Sequence, residues 1–235
     1  IYTQKSAHAG FETSGIIFDL PVALLELIFK IEDSKEYYLL RHFFNFFLFF
    51  VSVYFFFLLI DKRFKSWPLS IIGSLFLILS PRIFANGFFN NKDLVFMSLF
   101  IIGLYTAINL LEKKNFRNAI IFSIISAFMI NLRIFGLILP IIILLIYIEN
   151  ICWNQNIEKK QITSLIIFLI LFPCLTILFA PHLWDDPISF FSDTIKNLSK
   201  HDLEIYSYYL GKFIHSNNSP WHYPFIWILI IIRHS

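Results

Sequence analysis

Charged residues are scarce in this chain of 235 amino acids, and their scarcity argues against a soluble globular domain. Asp, Glu, Lys and Arg make up only 15% of the residues, whereas 57% are hydrophobic, and the mean hydropathy is +0.70. Soluble domains carry about 25% charged residues. The composition therefore predicts a membrane protein that crosses the bilayer several times. The net charge of +3 is too small to indicate a nucleic-acid partner.

Cysteine is almost absent, which argues against a disulfide framework. Cys174 lies inside an apolar run and Cys152 lies beside a polar segment. The histidines at positions 8, 201 and 215 do not have the spacing of zinc ligands. We therefore predict no metal site and no cofactor.

The chain contains seven apolar stretches that could form membrane spans, each of which needs about 20 residues. They cover roughly residues 40–60, 67–81, 93–111, 117–132, 134–149, 162–181 and 221–232. This pattern predicts an all-α fold, a polytopic bundle of transmembrane helices. We interpret residues 1–235 as a single transmembrane domain from a protein that continues beyond both ends.

Basic residues in alternate connecting segments predict the orientation of the helices. The segments "DKRFKSW", "EKKNFRN" and "ENICWNQNIEKKQ" are short and rich in Lys and Arg, so we expect them on the cytoplasmic side. The intervening segments, "SPRIFANGFFNNKD", "NLRIFG" and residues 181–221, then face outward. They mix charges and amides with Trp and Pro, as a surface that lines a site would.

Two outward segments have the pattern of helices that lie in the membrane interface. In "GIIFDLPVALLELIFKI", residues 15–31, Asp19, Glu26 and Lys30 interrupt an apolar run that is too short to span comfortably. In "DPISFFSDTIKNLSK", residues 186–200, apolar residues recur at spacings of three and four. We expect both segments to be amphipathic helices on the extracytoplasmic side.

The segment "SPRIFANGFFNNKDL", residues 80–94, concentrates polar residues between two apolar stretches. Its charges could simply reach the headgroups, or an Arg–Asp pair could tie two helices together. Alternatively, Arg82 and Lys92 supply the positive charge that a phosphate needs. Asn90 or Asn91 can cap the following helix, and Asp93 in its first turn would remain ionised.

Three further polar positions have both an ordinary and a functional interpretation. Arg133, between two apolar runs, either extends to the headgroups or pairs with an anionic ligand. In "PHLWDDP", His182 and Trp184 fit an interfacial belt, and Asp185 or Asp186 fits a helix cap. Arg41 begins a span and is expected to be an interfacial anchor.

Several motifs, taken in order, resemble the membrane glycosyltransferases of the C-type fold. They are "SGIIFDLPVALLELI", "LLRHFFNFF", "SPRIFANGFFNNKDL", "NLRIFGL", "PHLWDDPISFF" and "YYLGKFIHSNNSPWHYPFIW". Within that group the chain looks most like the bacterial enzymes related to dolichyl-phosphate-mannose protein mannosyltransferases and to the aminoarabinose transferases of lipid A. The resemblance covers nearly all of the chain.

The resemblance implies that a sugar is transferred from a polyprenyl-phosphate donor to a glycan, lipid or protein acceptor outside the cytoplasm, with inversion. Family members have a catalytic Asp in the first outer loop, which we expect upstream of residue 1. Asp19 matches a different acidic position. Asp93 is then the candidate catalytic acid, in an organising role, and substrate binding is assigned to Arg82, Lys92, Arg133, His182 and Asp185.

Two other classes of function are compatible with the same residues. A transporter or flippase of lipid-linked or anionic solutes would have polar residues at mid-membrane depth and repeat symmetry. A structural membrane subunit would carry the outward charges by coincidence. In each case we expect an integral, multi-pass protein in contact with membrane lipid, in the inner membrane of a bacterium.

Overall fold

The structure, a computed structural model, describes residues 17–153, 159–181, 206–215 and 218–233, together with residues 184, 189 and 192. The chain divides into two compact units, Ile1–Asp185 and Asp186–Ser235. The predicted helical architecture is confirmed in the described residues. The second predicted interfacial helix, at 186–200, lies almost wholly outside them.

The first unit contains eight described α-helices and one short 3-10 helix. The α-helices are α1 (Asp19–Phe29), α2 (Ser34–Phe64), α3 (Trp67–Leu79), α4 (Pro81–Phe89), α5 (Asp93–Lys113), α6 (Phe116–Leu132), α7 (Ile138–Trp153) and α8 (Lys159–Leu178). The 3-10 helix covers Ile134–Leu137, directly after the predicted break at Arg133.

Polar side chains and left-handed residues set several of the helix ends. Asp33 accepts the backbone N–H of Lys35 at the start of α2, and Asn115 accepts that of Asn118 at the start of α6. Lysines follow the last residues of α1, α2 and α5 in the left-handed conformation, which glycine usually occupies. A lysine there places its positive charge at the negative end of the helix dipole.

Three described helices, α2, α5 and α8, are long and apolar enough to cross a membrane. A fourth crossing results if α3 and α4, which meet at 65°, form one broken span. The prediction of seven spans is therefore not confirmed. The helices α6 and α7 have 17 and 16 residues, about 25 Å each at 1.5 Å per residue, against a hydrocarbon layer of about 30 Å.

The segment 80–94, predicted to be an outward-facing loop, contains the nine-residue helix α4. Pro81 ends α3, as predicted, because it forces Ser80 into an extended conformation with ψ of 111°. The same proline then occupies the first position of α4, where its missing N–H costs nothing. One residue therefore both ends one helix and begins the next.

The core of the first unit is centred on α6, which packs between α5 and α8. Phe122 is fully buried, and its ring centroid lies 5.1 Å from that of Phe168 on α8. Asn131 on α6 donates hydrogen bonds to the carbonyl oxygens of Ala127 and Thr176, at 2.9 and 3.2 Å. This amide therefore ties α6 to α8 where apolar surfaces alone provide little specificity.

Glycine allows a very close approach after α6. A Cβ added to Gly136 would lie 2.5 Å from the carbonyl carbon of Met129 and 2.6 Å from the backbone nitrogen of Ile130. These are backbone atoms that cannot rotate away. The 3-10 helix can therefore pack against the last turns of α6 only with glycine at this position.

Contacts among helix ends and a connector define one end of the first unit, which we call the Lys62 end. It comprises the last turns of α2 and α5, the α5–α6 connector and the first turn of α8. The Lys62 ammonium lies 2.6 Å from a carboxylate oxygen of Glu112, and Lys114 donates to Gln161 at 3.2 Å. The segments predicted to be cytoplasmic thus lie together, and the side of the membrane they face stays a prediction.

The second unit contains a β-hairpin and a helix. Strand β1 (Tyr206–Tyr209) pairs antiparallel with β2 (Lys212–His215), and helix α9 covers Tyr223–Arg233. Sequence analysis predicted the helix within a span at 221–232 but did not predict the hairpin.

Candidate functional site at the Arg41 end

The opposite end of the first unit, which we call the Arg41 end, comprises α1, the first turns of α2, α4, the start of α5 and Arg133. Its first element is the predicted cap between α4 and α5. The side-chain oxygen of Asn90 accepts the backbone N–H of Asp93 at 2.9 Å and that of Lys92 at 3.3 Å. Lys92 occupies the N-cap position of α5, and the Asn90 side chain accepts the N–H of its first residue, Asp93. Asp93 therefore lies in the first turn of α5, where the helix dipole favours an anion.

Asp93 and Arg133 form an ion pair that joins the start of α5 to the end of α6. The guanidinium Nη2 of Arg133 lies 2.6 Å from Oδ1 of Asp93. The amide of Asn90 lies 3.4 Å from the other carboxylate oxygen. The side chains of Arg133 and Asp93 remain 45% and 67% exposed. An ion pair this exposed contributes little to stability, so its partners are available to a ligand.

Arg82 lies on α4 and does not pair with Asp93. Its side chain is exposed, and no hydrogen bond or ion pair of its guanidinium occurs among the described residues. A chain of amides connects its helix to Asp93: Asn86 donates to the Arg82 carbonyl at 2.8 Å, and Asn90 donates to Asn86 at 3.3 Å. Lys92, next to Asp93, is also exposed. Asp93, Lys92 and Arg133 thus lie together, with Arg82 on the adjoining helix.

A second cluster, which sequence analysis did not predict, is centred on Arg41 of α2. Its Nη1 lies 2.9 Å from a carboxylate oxygen of Asp19, and its Nε lies 3.0 Å from one of Glu26. The guanidinium also lies 4.4 Å from the centroid of the Tyr37 ring. Arg41 therefore fixes α1 to α2 as a clasp, and its predicted role as an interfacial anchor stays a prediction. The seven-residue spacing of the two acids, which places them on one helical face, was the available signal.

Asn91 links the two clusters. Its side-chain amide lies 3.4 Å from the Asp19 oxygen that Arg41 also contacts. Asn91 follows Asn90 directly, so the carboxylate of α1 and the carboxylate of Asp93 both contact the α4–α5 junction. Part of the first predicted interfacial helix is thereby placed at the site, whereas its position in the membrane interface stays a prediction.

Two predicted site residues, His182 and Asp185, lie outside the described residues. Their neighbour Trp184 is described and is 62% exposed. Its indole N–H donates to the carbonyl oxygen of Ile177 at 2.9 Å. This contact folds the residue back onto the end of α8, and an exposed indole there is compatible with the predicted interfacial belt.

No family model, curated protein or solved structure matches this chain. The resemblance to C-type glycosyltransferases therefore rests on the quoted motifs and stays a prediction.

The charges at the Arg41 end determine how an anion could bind. Two arginines, Arg41 and Arg133, are already paired with carboxylates. An incoming phosphate would therefore contact Arg82 directly and would gain Arg133 by competing with Asp93. Because the Asp93–Arg133 pair is exposed, this exchange requires no buried group to lose its partner.

An apolar groove lies between α2 and α3. Its volume is about 530 Å³, and Phe47, Tyr54, Ile71 and Ile78 are among the residues that line it. Phe47 and Ile78 belong to the parts of α2 and α3 nearest the Arg41 end. A groove of this size and lining suits a hydrocarbon chain rather than a polar solute.

Proposed function

We propose that this protein transfers a sugar from a polyprenyl-phosphate carrier to an acceptor at the extracytoplasmic face of a bacterial inner membrane. The observation that carries the proposal is the exposed ion pair between Asp93 and Arg133, with Lys92 beside it and Arg82 on the adjoining helix. Stability alone gives little reason for an exposed pair at the end of a membrane bundle. A requirement to bind a phosphate at the depth of the helix ends does give one.

The chemistry assigns one role to the cations and another to the carboxylate of Asp93. As the bond between the sugar and the phosphate breaks, negative charge grows on the departing phosphate. Arg82, Lys92 and Arg133 stabilise that charge more than they stabilise the intact donor. Asp93 orients Arg133 before the donor binds and can accept a hydrogen bond from a sugar hydroxyl. The acceptor hydroxyl loses its proton to a carboxylate opposite the leaving group, which favours inversion.

In this proposal the groove between α2 and α3 holds part of the isoprenoid chain while the phosphate lies at the Arg41 end. The helices α6, α7 and α9 complete the seven predicted crossings. The acceptor is a glycan, a lipid or a protein. The base that activates it belongs to the first outer loop expected upstream of residue 1, and His182 and Asp185 keep their predicted place in substrate binding.

Nothing in the described helices specifically favours transport. The buried polar side chains there are uncharged Ser, Thr, Asn and Gln. Transporters of ionic solutes place ionisable or cation-binding groups at mid-membrane depth.

The proposal is tested with membranes from cells that express the natural full-length protein, incubated with a labelled polyprenyl-phosphate sugar. We expect the single variants Asp93→Ala, Arg133→Ala and Arg82→Ala each to lower the initial transfer rate, by roughly 100-fold where a charge-stabilising group is lost. The matched control is Lys62→Ala, which removes an ion-paired cation at the other end of the bundle. It should leave the rate close to that of the wild type once expression has been normalised.

Transfer that continues unchanged in both Arg82→Ala and Asp93→Ala would rule out this site. Loss of transfer in Lys62→Ala to the same degree would show that the variants act through folding. Uptake of an anionic solute by proteoliposomes, with no sugar transfer, would favour the transporter.

A further inference from the structure

The hairpin of the second unit presents one aromatic face outward. Side chains alternate along each strand, so Tyr206, Tyr208 and Phe213 share a face. They are 70%, 62% and 76% exposed. Tyr208 and Phe213 are paired across the strands, with ring centroids 5.2 Å apart. In water, this face would leave three large aromatic side chains hydrated.

The tip of the hairpin is also apolar. Leu210 and Gly211 form the two-residue turn, with φ values of 47° and 84°. Such a turn favours Asn or Gly at both positions, because other side chains are strained at positive φ. Leu210 is nevertheless found here and is 69% exposed. A strained and exposed leucine gains nothing in water, but it gains free energy if the tip enters an apolar layer.

The opposite face fixes the hairpin to the start of α9. Tyr209 is 5% exposed, and its ring centroid lies 4.9 Å from that of Tyr223. The hydroxyl of Tyr223 donates to that of Ser207 at 3.0 Å. The orientation of the aromatic face relative to α9 is therefore determined by packing within this unit.

Helix α9 is itself apolar on its outside. Phe225, Ile228 and Leu229 are 60%, 53% and 66% exposed, and Trp221, just before the helix, is 82% exposed. Tryptophan and tyrosine concentrate at the boundary between hydrocarbon and headgroups. A helix that enters the bilayer after Trp221 brings the attached hairpin to that boundary.

We propose that the hairpin inserts its tip and its aromatic face into the interfacial layer of the lipid bilayer that α9 enters. Leu210, Phe213 and the ring of Tyr208, which faces Phe213, then contact acyl chains, and the hydroxyls of Tyr206 and Tyr208 lie among the headgroups. This proposal rests on the predicted membrane crossing by α9, but it does not depend on sugar transfer.

The test uses the full chain, with Cys152 and Cys174 replaced by alanine, in vesicles of phosphatidylcholine and phosphatidylglycerol. A spin label is attached to Leu210→Cys, and its collisions with oxygen and with a water-soluble nickel chelate are compared by electron paramagnetic resonance. Phe76→Cys, at a 73% exposed apolar position on α3, is the lipid reference. Lys113→Cys, exposed at the end of α5, is the aqueous reference.

We expect the ratio of oxygen to nickel collisions at position 210 to shift from the value at Lys113→Cys toward that at Phe76→Cys. Phe213→Cys, on the same face, should shift likewise and also serves if Leu210→Cys fails to fold. A label at either position with the aqueous ratio, or one protected from both reagents, overturns the proposal. An aqueous label that is immobilised only when an oligosaccharide is added would instead identify a glycan-binding face.

Discussion

Both ends of the helical unit carry ion pairs, but the two ends use them differently. At the Lys62 end, Lys62 in the last turn of α2 pairs with Glu112 in the last turn of α5, and its ammonium also donates to Asn109 at 2.7 Å. At the Arg41 end, one arginine holds two carboxylates, and amides continue the network to a second, exposed pair. The first arrangement ties adjacent helix ends, whereas the second combines a half-buried clasp with charges that a ligand can reach.

The difference separates a structural role from a ligand-binding role within one end. The Arg41 side chain is 20% exposed and that of Glu26 is 12% exposed, against 45% and 67% for Arg133 and Asp93. Charges held away from water are costly to leave unpaired, and exposed ones are not. We therefore expect the Arg41 cluster to govern stability and the Asp93–Arg133 pair to govern function.

The largest effect on stability is expected for Arg41→Met. The change leaves the Glu26 carboxylate without its cation and releases α1 from α2. The free energy of unfolding should fall by about 2.5 kcal/mol, less than the ~3–5 kcal/mol for fully buried pairs, because half-exposed Asp19 is rehydrated. The quantity is measured by SDS titration of the protein in mixed micelles.

The matched control for that prediction is Lys62→Met at the other end, which should cost clearly less. Equal losses for the two variants would contradict the distinction between the ends.

Gly136→Ala should have the next largest effect on stability. Gly136 lies three residues after Arg133, next to the Arg41 end. The new methyl group collides with backbone atoms of Met129 and Ile130, so the 3-10 helix must move. We expect a loss of about 1.5 kcal/mol, as for an overpacked core site, in the same titration.

Gly87→Ala is the control for Gly136→Ala, because a Cβ there meets Phe49 at an ordinary 3.5 Å. It should be neutral or slightly stabilising, since alanine favours the helix. If Gly87→Ala were as unstable as Gly136→Ala, collision with backbone atoms would not explain the loss of stability at Gly136.

The smallest effects are expected from double-mutant cycles on the exposed pairs. We predict coupling energies of about 0.2–1 kcal/mol for both Asp93 with Arg133 and Lys62 with Glu112. The two pairs should therefore be alike in stability and should differ in sugar transfer. A coupling of several kcal/mol between Asp93 and Arg133 would mean that this pair is structural.

Local signals in the sequence predicted much of the Arg41 end. The Asn90 side chain as acceptor at the start of α5, the position of Asp93 and the break at Arg133 each depend on a few neighbouring residues, and each is found. The partner of Asp93 was not predictable in this way, because Arg133 is 40 residues away and only the packing of α5 on α6 brings them together.

Two elements were missed although the sequence contained a signal for each. Proline at the first position of "PRIFANGFF" is typical of a helix start, but the polar residues nearby suggested a loop. The alternation in "YSYYLGKFIH", with a central glycine, is typical of a hairpin, but leucine at the turn obscured it. In both cases residues that are atypical for the element, polar ones near Pro81 and a leucine in the turn, concealed a local signal that was present.

The 65° bend at Ser80 gives adjacent parts of the bundle different responses to hydrophobic mismatch. At 1.5 Å per residue, α3 is about 20 Å long and its neighbour α2 about 46 Å. A straight helix matches a thinner membrane by tilting or by locally thickening the bilayer, whereas a jointed crossing can also change its angle at the joint. Membrane thickness should therefore act first on α4, the helix that carries Arg82.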